Sequence, residues 1–168
     1  MPSEYYRDLH EGYLKTLKLK YSILAKSIPE LVGVPFDRIG RLPIDRVLKR
    51  EATELLSEIK LHEIFFSSFT DRPTTPSFRP TAAFRSAAGL LYSVKCAALS
   101  LDSGFVTLTP IKGEIRILAH RDFSAHFREG TPHLALDMCE HSYFGDYGFS
   151  RERYLDDFLP RLRLNALD

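Results

Sequence analysis

A chain of 168 residues with 44% hydrophobic and 12% aromatic side chains can bury a core of ordinary domain size, and 23 basic against 22 acidic residues leave a net charge of +1. That balance gives no basis for a nucleic-acid or charged-membrane partner, and no apolar run nears the roughly 18 residues of a membrane span. The first eight residues are polar where a secretory signal would be apolar, and Cys96 and Cys139 make no disulfide framework, so a soluble cytoplasmic protein is expected.

Residues 4–28 read as one long amphipathic helix. Leu9, Tyr13, Leu17, Leu24 and Ile28 recur at helical spacings, and Pro29 closes the run. The same periodicity puts His10 within the apolar stripe. After a loop with Gly33, Pro35, Gly40 and Pro43, a second helix is expected over 44–69, with Leu48, Ala52, Leu55, Ile59 and Phe66 on one stripe. Two long helices joined by a short loop predict an antiparallel hairpin, read as a helical domain over 1–70. Residues 71–80 hold three prolines and read as a linker.

Residues 81–168 are expected to form a C-terminal α/β domain. It begins with a helix over 81–99. A β-hairpin follows, made of 105–109 and 115–118 around a turn at 110–113. A third strand covers 134–136, and Ser150 would cap a last helix from Arg151 to about Leu162. The fold class is therefore α+β: a long N-terminal α-hairpin, then an α/β layer with a three-stranded antiparallel sheet.

Asp137 and His141 stand four apart, directly after the apolar Leu134-Ala-Leu run and before Tyr143 and Phe144. A carboxylate and an imidazole leaving a buried strand together suit half of a metal site. His62 falls on the apolar stripe of the second helix, three residues after Ile59 and four before Phe66. A core histidine bonded to a backbone carbonyl and a metal ligand both fit that place. Two histidines and one carboxylate with open positions make the facial arrangement of many non-haem iron centres. His126 and His133 read as surface residues.

The segment from Leu48-Lys-Arg-Glu-Ala-Thr to Leu61-His-Glu-Ile-Phe-Phe66 resembles the second helix of the iron/manganese superoxide dismutase family. Ser103-Gly-Phe-Val-Thr-Leu108 is similar to that family's Ser-Gly-Trp strand. Thr131-Pro-His-Leu-Ala-Leu-Asp-Met-Cys-Glu-His-Ser-Tyr-Phe144 resembles its C-terminal signature, Asp-Val-Trp-Glu-His-Ala-Tyr, and Arg153-Tyr-Leu-Asp-Asp-Phe-Leu matches the closing helix in style.

The resemblance implies one iron or manganese ion per subunit, held in part by His62, Asp137 and His141, that converts superoxide to dioxygen and hydrogen peroxide. It implies a homodimer in which Glu140 reaches toward the ligand histidine of the other subunit. Tyr13 falls at the family's gateway tyrosine, beside the substrate funnel, where it helps to deliver protons. The residue that tunes the metal's solvent is Gln or His in the family; Glu58 occupies one of its two usual origins and His120 falls near the other.

Several positions depart from the family pattern. The first ligand is a histidine eight residues before the gateway tyrosine, and that position is Tyr5 here, with Leu9 between them and His10 nearby. A Tyr5 phenolate, His10 or a water are the alternatives for that place. Cys139, Phe66 and Phe105 stand where the family has Trp or another large aromatic, and apolar Phe144 and Leu9 replace a pair that often hydrogen-bonds across the dimer interface. The segment that precedes the first helix has no counterpart, so the chain reads as a divergent, N-terminally short member. Three functions follow: a dismutase, a degenerate relative that binds metal weakly or not at all, and a different non-haem iron enzyme built on the His62, Asp137, His141 triad.

Overall fold

The computed structural model of the protein describes residues 4–73 and 78–167, with side chains from Arg7 onward. Helix α1 spans Glu4–Ser27, and Ile28 leaves helical geometry just before Pro29. Its buried stripe runs through His10, Leu17 and Ile28, with Leu9 turned outward at 42% exposure. Helix α2 spans Arg46–Ser67 and is capped by Asp45, whose Oδ1 accepts from Val47 N at 2.8 Å and Leu48 N at 3.4 Å. The two helices pack against each other as a hairpin, and Ile28, Leu31, Ile39 and Ala52 close its far end.

Helix α2 buries more than one stripe. Ala52, Ile59 and His62 are covered as the sequence predicts, but Leu61 and Phe65 are covered too. The reason is that α2 packs on α1 and also on the third strand, so two sides of it leave water. Leu61 and Phe65 share one apolar cluster with the sheet and with the helices that follow.

The residues that follow α2, just before the expected linker, are held by pairing across the molecule. Thr70 N donates to the Arg161 carbonyl at 3.0 Å, and Arg163 N donates to the Ser68 carbonyl at 2.8 Å. Helix α3 spans Ala87–Ser100 and starts later than the expected residue 81, because Ser86 caps it: its Oγ accepts from Gly89 N at 3.1 Å.

Strands β1 (Phe105–Ile111), β2 (Glu114–His120) and β3 (Leu134–Asp137) form an antiparallel sheet in the order β2-β1-β3. The hairpin is tighter than expected. Only Lys112 and Gly113 lie between the strands, both with positive φ (53° and 81°), the two-residue turn that matches strand twist. Pro110 is thus a strand residue, tolerated because β3 pairs only with Phe105 to Leu108 and needs no N–H from it. Helix α3 covers β1 and β2 while α2 covers β3, so β1 is buried at five consecutive positions and lacks the alternation of a half-exposed strand.

The chain closes with α4 (Phe144–Tyr147) and α5 (Arg151–Phe158). Ser150 makes no side-chain cap, and α5 stops short of Leu162 because Pro160 turns Leu159–Arg161 into a 3-10 segment.

His126, expected at the surface, is fully buried. A 3-10 turn over Phe123–Phe127, capped by Asp122, carries it against β1. There its Nε2–H donates to the His120 carbonyl at 3.3 Å, which leaves Nδ1 to accept from Thr107 Oγ1 at 2.9 Å. His133 is exposed, as expected.

Burial drives the His126 pKa down to about 4, opposed by the bond to the His120 carbonyl and by Asp122. The folded pKa lies below the unfolded value near 6.5, so the neutral ring's stability is complete above pH ~6.5 and is lost as pH falls toward 4. The full loss is about 3 kcal/mol. Urea unfolding between pH 7 and 4 should therefore show a shallower pH slope for His126→Gln than for the parent; parallel slopes would rule this account out.

Candidate metal centre

Four side chains from four elements of the chain meet in the interior. Helix α1 brings His10, α2 brings His62, the end of β3 brings Asp137, and the 3-10 turn Glu140–Ser142 brings His141. One ligand-type atom from each lies within 4.8 Å of all the others. His10, His62 and Asp137 are fully buried, and the His141 side chain is 22% exposed.

The distances carry the chemistry. Asp137 Oδ2 faces three Nε2 atoms: His141 at 3.0 Å, His10 at 3.2 Å and His62 at 3.5 Å. The His62 and His141 Nε2 atoms are themselves 3.3 Å apart. Bonds of about 2.1 Å to one ion, at angles of 90–120°, place neighbouring ligand atoms roughly 3.0–3.6 Å apart. These four distances therefore have the length of edges between neighbouring corners of a coordination polyhedron, and Asp137 Oδ2 is buried without a regular hydrogen bond to take its lone pairs. Three imidazoles and one carboxylate are the donors that iron, manganese and zinc accept.

Local structure aims each donor. His62 Nδ1–H donates to the Glu58 carbonyl one turn earlier at 2.8 Å, so Nε2 presents its lone pair to the centre. Burial pushes the His62 pKa down to about 4, which keeps the ring neutral. Cys139 N donates to Asp137 Oδ1 at 2.8 Å, which leaves Oδ2 for the histidines. Burial by itself would raise the Asp137 carboxyl, but the surrounding imidazoles outweigh it and hold the group well below the usual carboxylate range. Burial opposes the charge on His141, yet its contact with Asp137 wins and raises its pKa.

Gly104 makes the strand ends approach closely. It has φ +124°, and a Cβ there would lie 2.3 Å from the His120 carbonyl oxygen, so no other residue fits. Its own carbonyl accepts from Met138 N at 2.8 Å, immediately after Asp137.

Tyr13 lies over this group. Its ring stacks on His141 with centroids 4.3 Å apart, and its hydroxyl donates to Glu58 Oε1 at 2.7 Å. Burial, then the bond to Glu58, raises the Tyr13 pKa. Burial also raises the Glu58 carboxyl, opposed by the Tyr13 hydrogen bond. His120 is not among the four convergent residues: it is exposed, with its ring centroid 5.5 Å from that of His126. Glu140 is exposed, and the Tyr5 side chain lies outside the described residues. Among the described residues, His10 is the candidate for the remaining donor that lies with the other three.

Comparison with known proteins points to one family. Residues 81–166 match the family described as iron/manganese superoxide dismutases, C-terminal domain. A curated relative, the "Superoxide dismutase [Fe]" of Cupriavidus metallidurans, is 34% identical over 122 residues, which cover 68% of this chain and 62% of that protein. The chain thus spans less than two thirds of the length of that relative.

Proposed function

The chain belongs to the iron/manganese superoxide dismutase family, and we propose that it holds one iron or manganese ion at His10, His62, Asp137 and His141 and converts superoxide to dioxygen and hydrogen peroxide. The convergence of those four donor atoms within 4.8 Å carries the reading. Iron is the first candidate, because the relative above is named as an iron enzyme. When bound, the ion supplies one-electron chemistry, giving and taking an electron in turn.

The protein's own residues do the rest. The three neutral-capable imidazoles and the carboxylate give the ion a site of low net charge, screened from bulk water by Phe65, Phe66 and Phe105. Tyr13, its ring stacked on His141, keeps its hydroxyl proton and donates it in a hydrogen bond to Glu58. In this scheme Glu58 takes the outer position for which His120 was a candidate. Exposed Leu9, Phe144 (49%) and Phe149 (88%), together with exposed Glu140, support a homodimer formed on this side. Among the described residues no helix is long and apolar enough to cross a membrane, and the two cysteines are free; we place the protein in the cytoplasm.

The test is elemental analysis of purified protein followed by a dismutation assay. One ion per chain with dismutation far above that of free metal is the expected result. Stoichiometric metal without dismutation would favour the second reading, a relative that keeps the centre and has lost the activity. The observation behind that reading is Glu58, a carboxylate where the family has an amide or imidazole, taking up the Tyr13 hydroxyl.

A further inference from the structure

The centre depends on one short stretch of main chain. Asp137 to His141 supplies two of the four donors, and the direction of Asp137 Oδ2 follows the orientation of its own peptide. Met138 N is tied to Gly104, and Cys139 N to Asp137 Oδ1. The carbonyl of Asp137 itself is held from the far end of the chain: Tyr154, on α5, donates its hydroxyl to that oxygen at 2.8 Å.

We propose that Tyr154 is the positioning residue for Asp137, through the hydrogen bond from its hydroxyl to the Asp137 carbonyl. This rests on the reading of the four residues as a metal centre. Tyr154 is fully buried, and its ring is wedged among Phe158 (4.5 Å), Tyr147 (5.6 Å) and Tyr143 (5.7 Å). Packing of that kind fixes the ring and so fixes where the hydroxyl points. A phenylalanine would fill the same space, so packing does not account for the hydroxyl. The acceptor is the main-chain oxygen of the only carboxylate in the centre.

The geometry leaves little slack. Asp137 Oδ2 stands 3.0–3.5 Å from three nitrogens, and a productive site tolerates displacements of about 0.5 Å. Release of the carbonyl leaves the peptide after Asp137 held on one side only, by the bond from Met138 N to Gly104, so the peptide can tilt about that anchor and carry Oδ2 off the common centre. His141, four residues on, moves with it.

The experiment is chelator competition for Mn²⁺ on the full chain, parent against Tyr154→Phe and Tyr147→Phe. Tyr147 is the matched control: its hydroxyl also donates in a part-buried setting, to Asp157 Oδ2 at 2.6 Å, but away from the centre. Tyr154→Phe should raise the Kd for Mn²⁺ by about 10- to 100-fold, the usual cost of losing an outer partner of a metal ligand. It should also alter the electron paramagnetic resonance spectrum of the bound ion. Tyr147→Phe should change neither. Parent-like affinity and spectrum in Tyr154→Phe would overturn the proposal, as would equal weakening in both variants, which would mean general loosening. If the parent itself binds neither Mn²⁺ nor Fe²⁺, the metal-centre reading fails and this one with it. A parent that binds while Tyr154→Phe is unchanged sinks only the role of Tyr154.

Discussion

His10→Ala should weaken metal binding by about a thousandfold, roughly 4 kcal/mol, while Tyr5→Phe should leave it unchanged. The loss of an outer partner typically costs 10- to 100-fold, and His10 is placed to be a direct donor, 3.2 Å from Asp137 Oδ2 and fully buried. The alanine also leaves a hole between Phe65 and Phe66, whose rings lie 4.7 and 5.1 Å from the imidazole, so some stability goes with it. Isothermal titration with Fe²⁺ or Mn²⁺ measures the difference. If His10→Ala binds like the parent and Tyr5→Phe does not, the first donor comes from the start of α1 and the assignment of His10 is wrong.

Removal of the metal should lower the melting temperature markedly, because the site ties together α1, α2, the end of β3 and the turn that follows it. An ion at a free concentration about a thousandfold above its Kd adds ~4 kcal/mol to the folded state. For a chain of this size that is roughly 8–16 °C. Scanning calorimetry with metal and after chelation should show the drop in the parent, and little of it in His10→Ala. A parent that carries metal yet melts at the same temperature after chelation would mean that the ion sits elsewhere, on groups that the unfolded chain also offers.

Asp137 and His141 are legible in the sequence because they are near neighbours: a strand end and the next turn bring them together without help from the rest of the fold. His62 is legible as a polar residue on an apolar stripe, though the stripe alone leaves open whether it is a ligand or a satisfied core histidine. His10 is different. On an α-helix Tyr5 points about 80° to one side of Tyr13 and His10 about 60° to the other, and the two are about 7.5 Å apart along the axis. Helical phase cannot choose between them.

His126 was misread for a related reason. Its neighbours in sequence, Asp122, Ser124 and Arg128, are polar and describe a surface turn. The burial comes from a strand nearly twenty residues away, where Thr107 waits with a hydroxyl. The late start of α3 at Ser86 and the capless start of α5 at Ser150 show the same limit on a small scale: both serines are permitted caps, and one is used.

What the sequence determines by itself is local: the two long N-terminal helices from apolar spacing, the hairpin from its period-two strands, the family from the His62 segment and the 131–144 signature. What only the tertiary structure decides is which level of α1 faces Asp137, and therefore that His10 joins the centre. The pairing of Glu58 with Tyr13 and the grip of Tyr154 on Asp137 are decided there too. These contacts join residues 17 to 127 positions apart, and the relative height of two packed helices is set by the sum of their side-chain contacts, a quantity no single stretch of sequence contains.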